Sequence, residues 1–113
     1  MKNELHLETK EREAIAKYKE ILINKYQDQI KEIFLYGSKA REDSRQDSDI
    51  DLLIVLANYN WKLGDKIRRI GYELDEEIEY KFSIIVLAEQ KFENLKKEKY
   101  QFAQNIMKDG IAI

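Results

Sequence analysis

The chain has 113 residues, which predicts one domain over residues 1–113 with a single modest core. Charged residues make up 37% of the chain but the formal net charge is only −2, so no positive field is available and we expect no general binding to nucleic acid. Because there is no cysteine and only one histidine, His6, the composition excludes a disulfide framework and a cysteine-based zinc site, and any metal must be held by oxygen.

The first half of the chain alternates helical and extended patterns. Apolar residues recur at helical spacing from Glu8 to Tyr26, and the short β-prone run from Ile30 to Tyr36 stops at a glycine. The stretch from Gly37 to Ser48 has almost no large apolar side chain, which predicts a polar loop with a short helix. Asp49 to Leu56 becomes continuously apolar, as a central strand does.

The second half continues the alternation. Helical spacing from Trp61 to Ile78 predicts a second long helix, and the segment from Tyr80 to Leu87 is typical of a third strand. Gln90 to Lys108 predicts a last helix, which the charged residues Lys96 to Lys99 divide in two, and Gly110 lies where a C-cap glycine belongs.

The predicted order is therefore α, β, short α, β, α, β, α. This order indicates an α/β (α+β) fold, with a small mixed β-sheet of three or more strands flanked by helices. The longest apolar run, Leu52 to Ala57, is far below the roughly 20 residues that a membrane span needs. The N-terminus has no apolar signal-peptide core, so we expect a cytoplasmic protein with no membrane contact.

Two aspartates open the second predicted strand. Residues two apart in a strand project from the same face, so Asp49 and Asp51 present adjacent carboxylates while Ile50 points into the core. A divalent cation relieves the repulsion between such anions, and hard oxygen ligands select Mg²⁺ or Mn²⁺. By itself the pair is weak evidence, because acidic pairs at strand starts are often solvated turn residues.

The glycine turn before this strand suggests an anion site. Gly37 and Ser38 directly follow an apolar strand and precede a segment compatible with a helix, so their backbone N–H groups can face a phosphate. Most glycine–serine dipeptides only make turns, and the evidence comes from the combination of turn and acidic pair in this order.

This combination resembles a known signature. Gly37-Ser38, ten residues, and then Asp49-Ile50-Asp51 is similar to the motif of the DNA polymerase beta-like nucleotidyltransferase superfamily. Further matches at Ala40, Arg41 and Ser48 resemble its minimal nucleotidyltransferase branch, including the antitoxins of that branch.

The resemblance implies a transferase that uses ATP and Mg²⁺ (or Mn²⁺). Asp49 and Asp51 would hold the metal and act in catalysis, and Gly37 and Ser38 would bind the β- and γ-phosphates. Arg41 would neutralise phosphate charge and Ser48 would orient the strand, so both are assigned to the nucleotide site. Lys39 is a weaker candidate, since a basic residue on a polar helix is more often solvated.

The third metal-binding carboxylate of the family has no obvious counterpart. The aligned positions on the third predicted strand are Lys81 and Ser83, neither of which is acidic. Glu79 has the same strand parity and is the best substitute, so we assign it to the metal site. Most of the acidic cluster that includes Asp75, Glu76 and Glu77 is expected to lie on a solvated helix face.

Three functions remain open from the sequence. The first is transfer of a nucleoside monophosphate, AMP from ATP, to a hydroxyl; the resemblance implies an antitoxin that modifies a tyrosine of a HEPN-type toxin partner. The alternative is a catalytically weak or inactive module of the same fold that binds nucleotide and neutralises a partner. A drug-modifying transferase ranks last, because there is no room for an acceptor domain. Apolar helix faces are compatible with a homo-oligomer.

Overall fold

The computed structural model describes residues 7–40, 49–79 and 81–113, apart from the side chain of Ser38. The helices are α1 (Thr9–Tyr26), α2 (Trp61–Leu74), α3 (Glu89–Lys97) and α4 (Gln101–Asp109). The strands are β1 (Ile30–Tyr36), β2 (Ile50–Leu56), β3 (Phe82–Ala88) and β4 (Ile111–Ala112), and 3₁₀ turns cover Gly37–Ala40 and Asp75–Ile78. None of the described helices is long and apolar enough to cross a membrane.

The four strands form one mixed sheet in the order β3-β2-β1-β4. β1 pairs antiparallel with β2 and with β4, whereas β2 and β3 are parallel. The predicted fold class, a small mixed sheet flanked by helices, is confirmed. The two-residue strand β4 was not predicted, because two residues are too few for an alternating pattern to show.

β2 is the centre of the sheet and is buried on both faces. Ile50, Leu52, Ile54 and Leu56 share one apolar cluster with residues of α1 and α2, and Leu53 and Val55 share a second cluster with Phe92, Ala103 and Ile106 of α3 and α4. Side chains alternate between the faces of a strand, so a strand covered on both sides must be apolar at nearly every position. The continuous apolar run in the sequence reflects this position.

α1 begins with a capping box and then packs along a buried stripe. The Glu8 side chain accepts a hydrogen bond from the backbone N–H of Glu11, and the Glu11 carboxylate accepts one from the Glu8 N–H at 3.0 Å. Further along, the buried Tyr18 hydroxyl donates to the Ile67 carbonyl of α2 at 2.8 Å. This bond satisfies a polar group in the core and joins α1 to α2.

The outer edge of β3 is covered by side chains from the α2 region. The Phe82 N–H donates to the Asp75 carboxylate at 3.3 Å, and the Ile84 N–H donates to the Tyr72 hydroxyl at 3.2 Å. These bonds occupy donors that an edge strand would otherwise leave open to another chain. Burial is also the main reason why the pKa of Asp75 lies above its usual value.

Two details of the second half differ from the sequence predictions. α2 ends at Leu74 and continues only as a 3₁₀ turn. Glu76 and Glu77 of this turn are exposed, as expected for most of the acidic cluster, but Asp75 is 3% exposed. The buried cap of the β3 edge explains its position. The predicted break in the last helix is confirmed, because α3 ends before Lys99, which has a left-handed φ of 59°.

Gly71 is expected to be required for the contact between α2, α1 and β3. A Cβ there would overlap Ile84 Cδ1 and lie 2.9 Å from Tyr18 Cζ, and the hydrogen-bonded ring of Tyr18 cannot swing away. Overpacking costs about 1–3 kcal/mol and replacing a helical glycine recovers about 1 kcal/mol, so Gly71→Ala should lower the free energy of unfolding by up to about 2 kcal/mol in urea denaturation.

Gly64→Ala is the matched control on the same helix. Its Cβ would meet the ring of Tyr59, which is 40% exposed and free to rotate outward. The control should be neutral or slightly stabilising, and an equal loss in both variants would contradict the close packing assigned to Gly71.

Candidate functional site

The acidic pair lies at the start of the central strand. Asp49 directly precedes β2 and is exposed, Ile50 is fully buried, and Asp51 is half-buried within the strand. Asp51 pairs with Tyr36 of β1 on one side and with Ser83 of β3 on the other. The alternation of the strand therefore directs both aspartates to the sheet face that α3 and α4 cover further along.

The glycine turn lies directly against Asp51. Gly37 has a left-handed φ of 78°, and a Cβ built on it would overlap Asp51 Oδ2 and lie 3.2 Å from Asp51 Cγ. Only glycine allows both this backbone conformation and this approach. The sequence separates the turn from the acidic pair by ten residues, and the pairing of β1 with β2 brings them into contact.

Tyr36 borders the same corner. Its ring packs edge-on against Phe102 of α4, with ring centroids 5.6 Å apart. Burial, and secondarily the negative charge of Asp51, raise the pKa of the Tyr36 hydroxyl to about 12. The hydroxyl therefore stays protonated at neutral pH. The packed rings of Tyr36 and Phe102 form an apolar wall on the side of Asp51 that faces α4.

A buried ion-pair network lies at the same end of the sheet. The Glu11 carboxylate is 3.3 Å from the Lys39 ammonium and 3.2 Å from the Lys81 ammonium, with side-chain exposures of 1%, 2% and 15% for the three residues. The expectation that Lys39 is solvated was wrong, because its charge is buried against Glu11. Its role as a weaker phosphate candidate stays a prediction.

The protonation of Glu11 follows from this environment. Burial acts to raise the pKa of the carboxyl, but hydrogen bonds from the Glu8 backbone, Lys81 and Lys39, together with the Lys39 charge, outweigh it. The pKa of Glu11 is therefore below its usual value, and the group is ionised at neutral pH.

Helical spacing could have identified Glu11 from the sequence. The buried residues of α1 are Glu11, Ile15, Tyr18 and Leu22, which follow one another at intervals of four, three and four positions. Extending the apolar stripe backwards by one turn places an acid on the buried face, and a buried acid requires cationic partners. Which lysines provide them depends on tertiary structure.

The structure brings two of the predicted site residues into contact. Gly37 lies against Asp51, the backbone of Ser38 belongs to the same 3₁₀ turn, and Asp49 is an exposed residue two positions before Asp51. Arg41 and Ser48, both predicted to bind nucleotide, lie outside the described residues.

Glu79 does not lie on a strand. β3 begins at Phe82, and Glu79 is an exposed turn residue with a left-handed φ of 64° at the rim of a groove of about 170 Å³. Strand parity therefore does not apply to it. Within residues 7–40, 49–79 and 81–113 no three acidic or histidine side chains cluster closely enough to hold a metal ion. The role of Glu79 in metal binding stays a prediction.

The donor set of the acidic pair fits a hard divalent cation. Both side chains offer carboxylate oxygens, which Mg²⁺ and Mn²⁺ prefer. Asp49 is exposed, so a cation bound there would keep coordination positions open for substrate oxygens. The close approach of Gly37 also puts backbone next to the Asp51 carboxylate, so a phosphate at this turn would lie beside the metal ligands.

Comparison with known families agrees with this geometry. Residues 16–113 match the family described as polymerase beta, nucleotidyltransferase. The chain therefore belongs to this family and is a nucleotidyltransferase, which confirms the resemblance inferred from the glycine turn and the acidic pair.

Individual relatives cover most of the chain. A candidate protein adenylyltransferase of Methanocaldococcus jannaschii is 33% identical over 102 residues, which cover 88% of this chain and 94% of that protein. A crystal structure of a candidate nucleotidyltransferase from Sulfolobus solfataricus has a TM-score of 0.58 at 21% identity, covering 88% of this chain and 76% of that one. A toxin–antitoxin crystal structure with AMP-PNP has a TM-score of 0.56 at 15% identity, covering 88% and 69%. At these identities, the two structural likenesses show the fold.

Gly37 should tolerate no side chain. The left-handed backbone costs an L-residue about 1–2 kcal/mol, and the overlap with the Asp51 carboxylate adds to that, so Gly37→Ala should lower the free energy of unfolding by at least this amount. Gly37→Asn is the control, since asparagine accepts a left-handed φ but still introduces a Cβ. Urea denaturation should show a smaller loss for Gly37→Asn than for Gly37→Ala, because asparagine avoids the backbone cost and only the overlap with Asp51 remains. An asparagine variant as stable as the unmodified chain would contradict the overlap.

Glu11 should make stability depend on acid pH. Its pKa in the folded chain lies below the ordinary 4.5, so its contribution is complete above pH 4.5 and is lost as the pH falls through the folded pKa. Removing one partner of a buried pair costs about 3–5 kcal/mol, so Glu11→Gln should lose about that much at pH 7.

The measurement is urea denaturation of both chains from pH 7 to pH 3. The difference between Glu11→Gln and the unmodified chain should shrink as the pH falls below 4.5. Glu13→Gln, an exposed acid on the same helix, serves as the control and should show no comparable difference. A Glu11→Gln effect that is constant over this range would contradict an ionised, paired Glu11.

Proposed function

We propose that this chain transfers AMP from ATP to a hydroxyl group of a partner protein, a tyrosine of a HEPN-type toxin, and thereby acts as an antitoxin. The observation that carries the proposal is the contact between the Gly37 turn and the Asp51 carboxylate, which joins a phosphate-binding turn to a metal-binding acid. Two relatives support it: the candidate protein adenylyltransferase and the toxin–antitoxin structure with AMP-PNP.

The nucleotide would bind along the turn and the start of β2. Backbone N–H groups at Gly37 and Ser38 would receive the β- and γ-phosphates, where the absence of a Cβ lets the phosphate approach the chain. Arg41 would neutralise phosphate charge and Ser48 would orient the acidic segment. The wall formed by Tyr36 and Phe102 would limit water on one side of the site.

Asp49 and Asp51, with Glu79 as the proposed third ligand, would hold Mg²⁺ or Mn²⁺. When bound, the metal neutralises the charge of the phosphates and polarises the phosphoryl oxygens. The contribution of the two aspartates is to fix their carboxylates on one face of a rigid central strand, so that the α-phosphate lies in line with an incoming hydroxyl. The hydroxyl oxygen would form a bond to the α-phosphorus as the bond from that phosphorus to the bridging oxygen breaks, so that pyrophosphate leaves and the hydroxyl proton passes to solvent.

A second candidate function is a non-catalytic module that binds nucleotide and neutralises its partner by contact. The pairing of β2 with β3 favours it, because the residue beside Asp51 is Ser83 and not an acid. The charge of Lys81, the preceding candidate position, is paired with Glu11. A module of this kind would bind ATP without transferring it.

One assay distinguishes the enzyme from the non-catalytic module. The chain is incubated with ATP labelled at the α-phosphate and with Mg²⁺, with and without the product of the neighbouring gene. Label should pass to that product, and Asp49→Asn combined with Asp51→Asn should reduce the transfer at least about 100-fold, because the carboxylates that would hold the charge-stabilising cation are lost. Asp28→Asn, an exposed aspartate after α1, is the matched control and should retain full transfer.

Two results would contradict the enzyme. ATP binding without transfer to the partner would favour the non-catalytic module. Transfer that survives in the double variant would show that the acidic pair is not the site of the reaction.

A further inference from the structure

Glu11 connects the two backbone segments that border the acidic pair. One of its partners, Lys39, belongs to the 3₁₀ turn that begins at Gly37. The other, Lys81, lies directly before β3, and its carbonyl accepts the N–H of Ile50, the residue between the two aspartates, at 2.8 Å. A single carboxylate of α1 therefore holds both the segment that follows the phosphate turn and the segment that aligns the start of β2.

We propose that Glu11 is a positioning residue for nucleotide binding, which fixes the Gly37 turn and the Asp49–Asp51 segment relative to each other through Lys39 and Lys81. The inference rests on the proposed function, because it concerns the same nucleotide site. Glu11 itself is buried, and it acts through the backbone segments of its two lysine partners.

The cost of burying these charges supports a role beyond stability. Buried ion pairs are often no more stabilising than apolar residues of the same size, so stability alone is a weak reason for this network. Its geometry, in contrast, suits positioning. Salt bridges at 3.2 and 3.3 Å fix both lysines from one point, and the 3₁₀ turn they help to hold has no regular strand pairing of its own.

The direction of the effect separates this role from a direct one for Lys39. If Lys39 leaves Glu11 in order to contact phosphate, then Glu11 competes with ATP, and its removal should strengthen ATP binding. If Glu11 positions the turn, its removal should weaken binding. The ATP affinity of one variant, Glu11→Gln, therefore distinguishes the two roles.

The experiment uses the full chain and Glu11→Gln, with Glu13→Gln as the matched control from the exposed face of α1. MgATP affinity is measured by calorimetric titration, and backbone hydrogen exchange is followed at residues 37–40 and at Ile50. Glu11→Gln should weaken MgATP binding at least tenfold and speed exchange at these amides, while exchange in α4 stays unchanged. Where transfer is observed, KM for ATP should rise more than kcat falls.

The double variant Glu11→Gln with Lys39→Met separates positioning from stability. It removes the two most buried charges, those of Glu11 and Lys39, together and places an apolar side chain at position 39, while the charge of Lys81 remains. Stability should therefore recover in part relative to Glu11→Gln alone. The anchor of the turn is still missing, so MgATP affinity should stay low. This variant also decides the question if Glu11→Gln alone does not fold.

Three outcomes would overturn the inference: an affinity within twofold of the unmodified chain in a folded Glu11→Gln, a tighter affinity in that variant, or a double variant that regains both stability and affinity. A failure of the proposed function can be distinguished from a failure of this inference. An unmodified chain that binds MgATP but transfers nothing contradicts the enzyme while leaving the effect of Glu11 on binding measurable.

Discussion

The pairing of β2 on both of its edges is the constraint on which the structure depends. β2 is covered by helices on both faces, so nearly all of its length is committed to apolar contacts with β1, β3 and the two helical layers. Charged side chains fit only at its first residues, where this cover ends. The acidic pair occurs at that end, and the strand that forms the core therefore also fixes the two carboxylates in space.

The register of β1 against β2 determines whether these carboxylates face a site or the core. Asp51 lies opposite Tyr36, and the turn at Gly37 follows at once. Because strand side chains alternate with a period of two, a slip by one residue would exchange the face of Asp51 for that of Ile50, which is fully buried. The apolar pattern of β2 excludes that slip, since it would place a carboxylate in the cluster beneath α1 and α2. The register that packs the core is therefore also the register that turns Asp51 towards the Gly37 turn.

Most of the fold follows from periodicity that is visible in the sequence. The long helices and the three longer strands were predicted because each carries an apolar repeat over at least seven residues. β4 was not predicted because a two-residue strand carries no repeat, and the 3₁₀ turn after α2 was read as helix because four residues of acidic turn continue the helical spacing. Both features depend on tertiary contacts, namely pairing with β1 and the capping of β3 by Asp75.

The site was predictable as far as local spacing defines it. The glycine turn and the acidic pair could be identified because each lies at the end of a strand, and their contact followed once the strands were paired. The position of Glu11 was present in the spacing of α1, but its partners are 28 and 70 positions away along the chain and cannot be read from a periodic pattern. Buried charges of this kind are recognised in sequence only as an exception to an apolar stripe.

The salt bridge between Lys81 and Glu11 affects the charge at the start of β3. Two positions near the start of β3 aligned with the third carboxylate of related enzymes; here one is Ser83, beside Asp51, and the other is Lys81, whose charge is held by Glu11. A lysine at this position would repel a metal ion if its ammonium pointed towards the aspartates. Its pairing with Glu11, a buried acid of α1, places that charge 3.2 Å from a carboxylate, which offsets it. The network that joins the two segments therefore also neutralises the charge of Lys81.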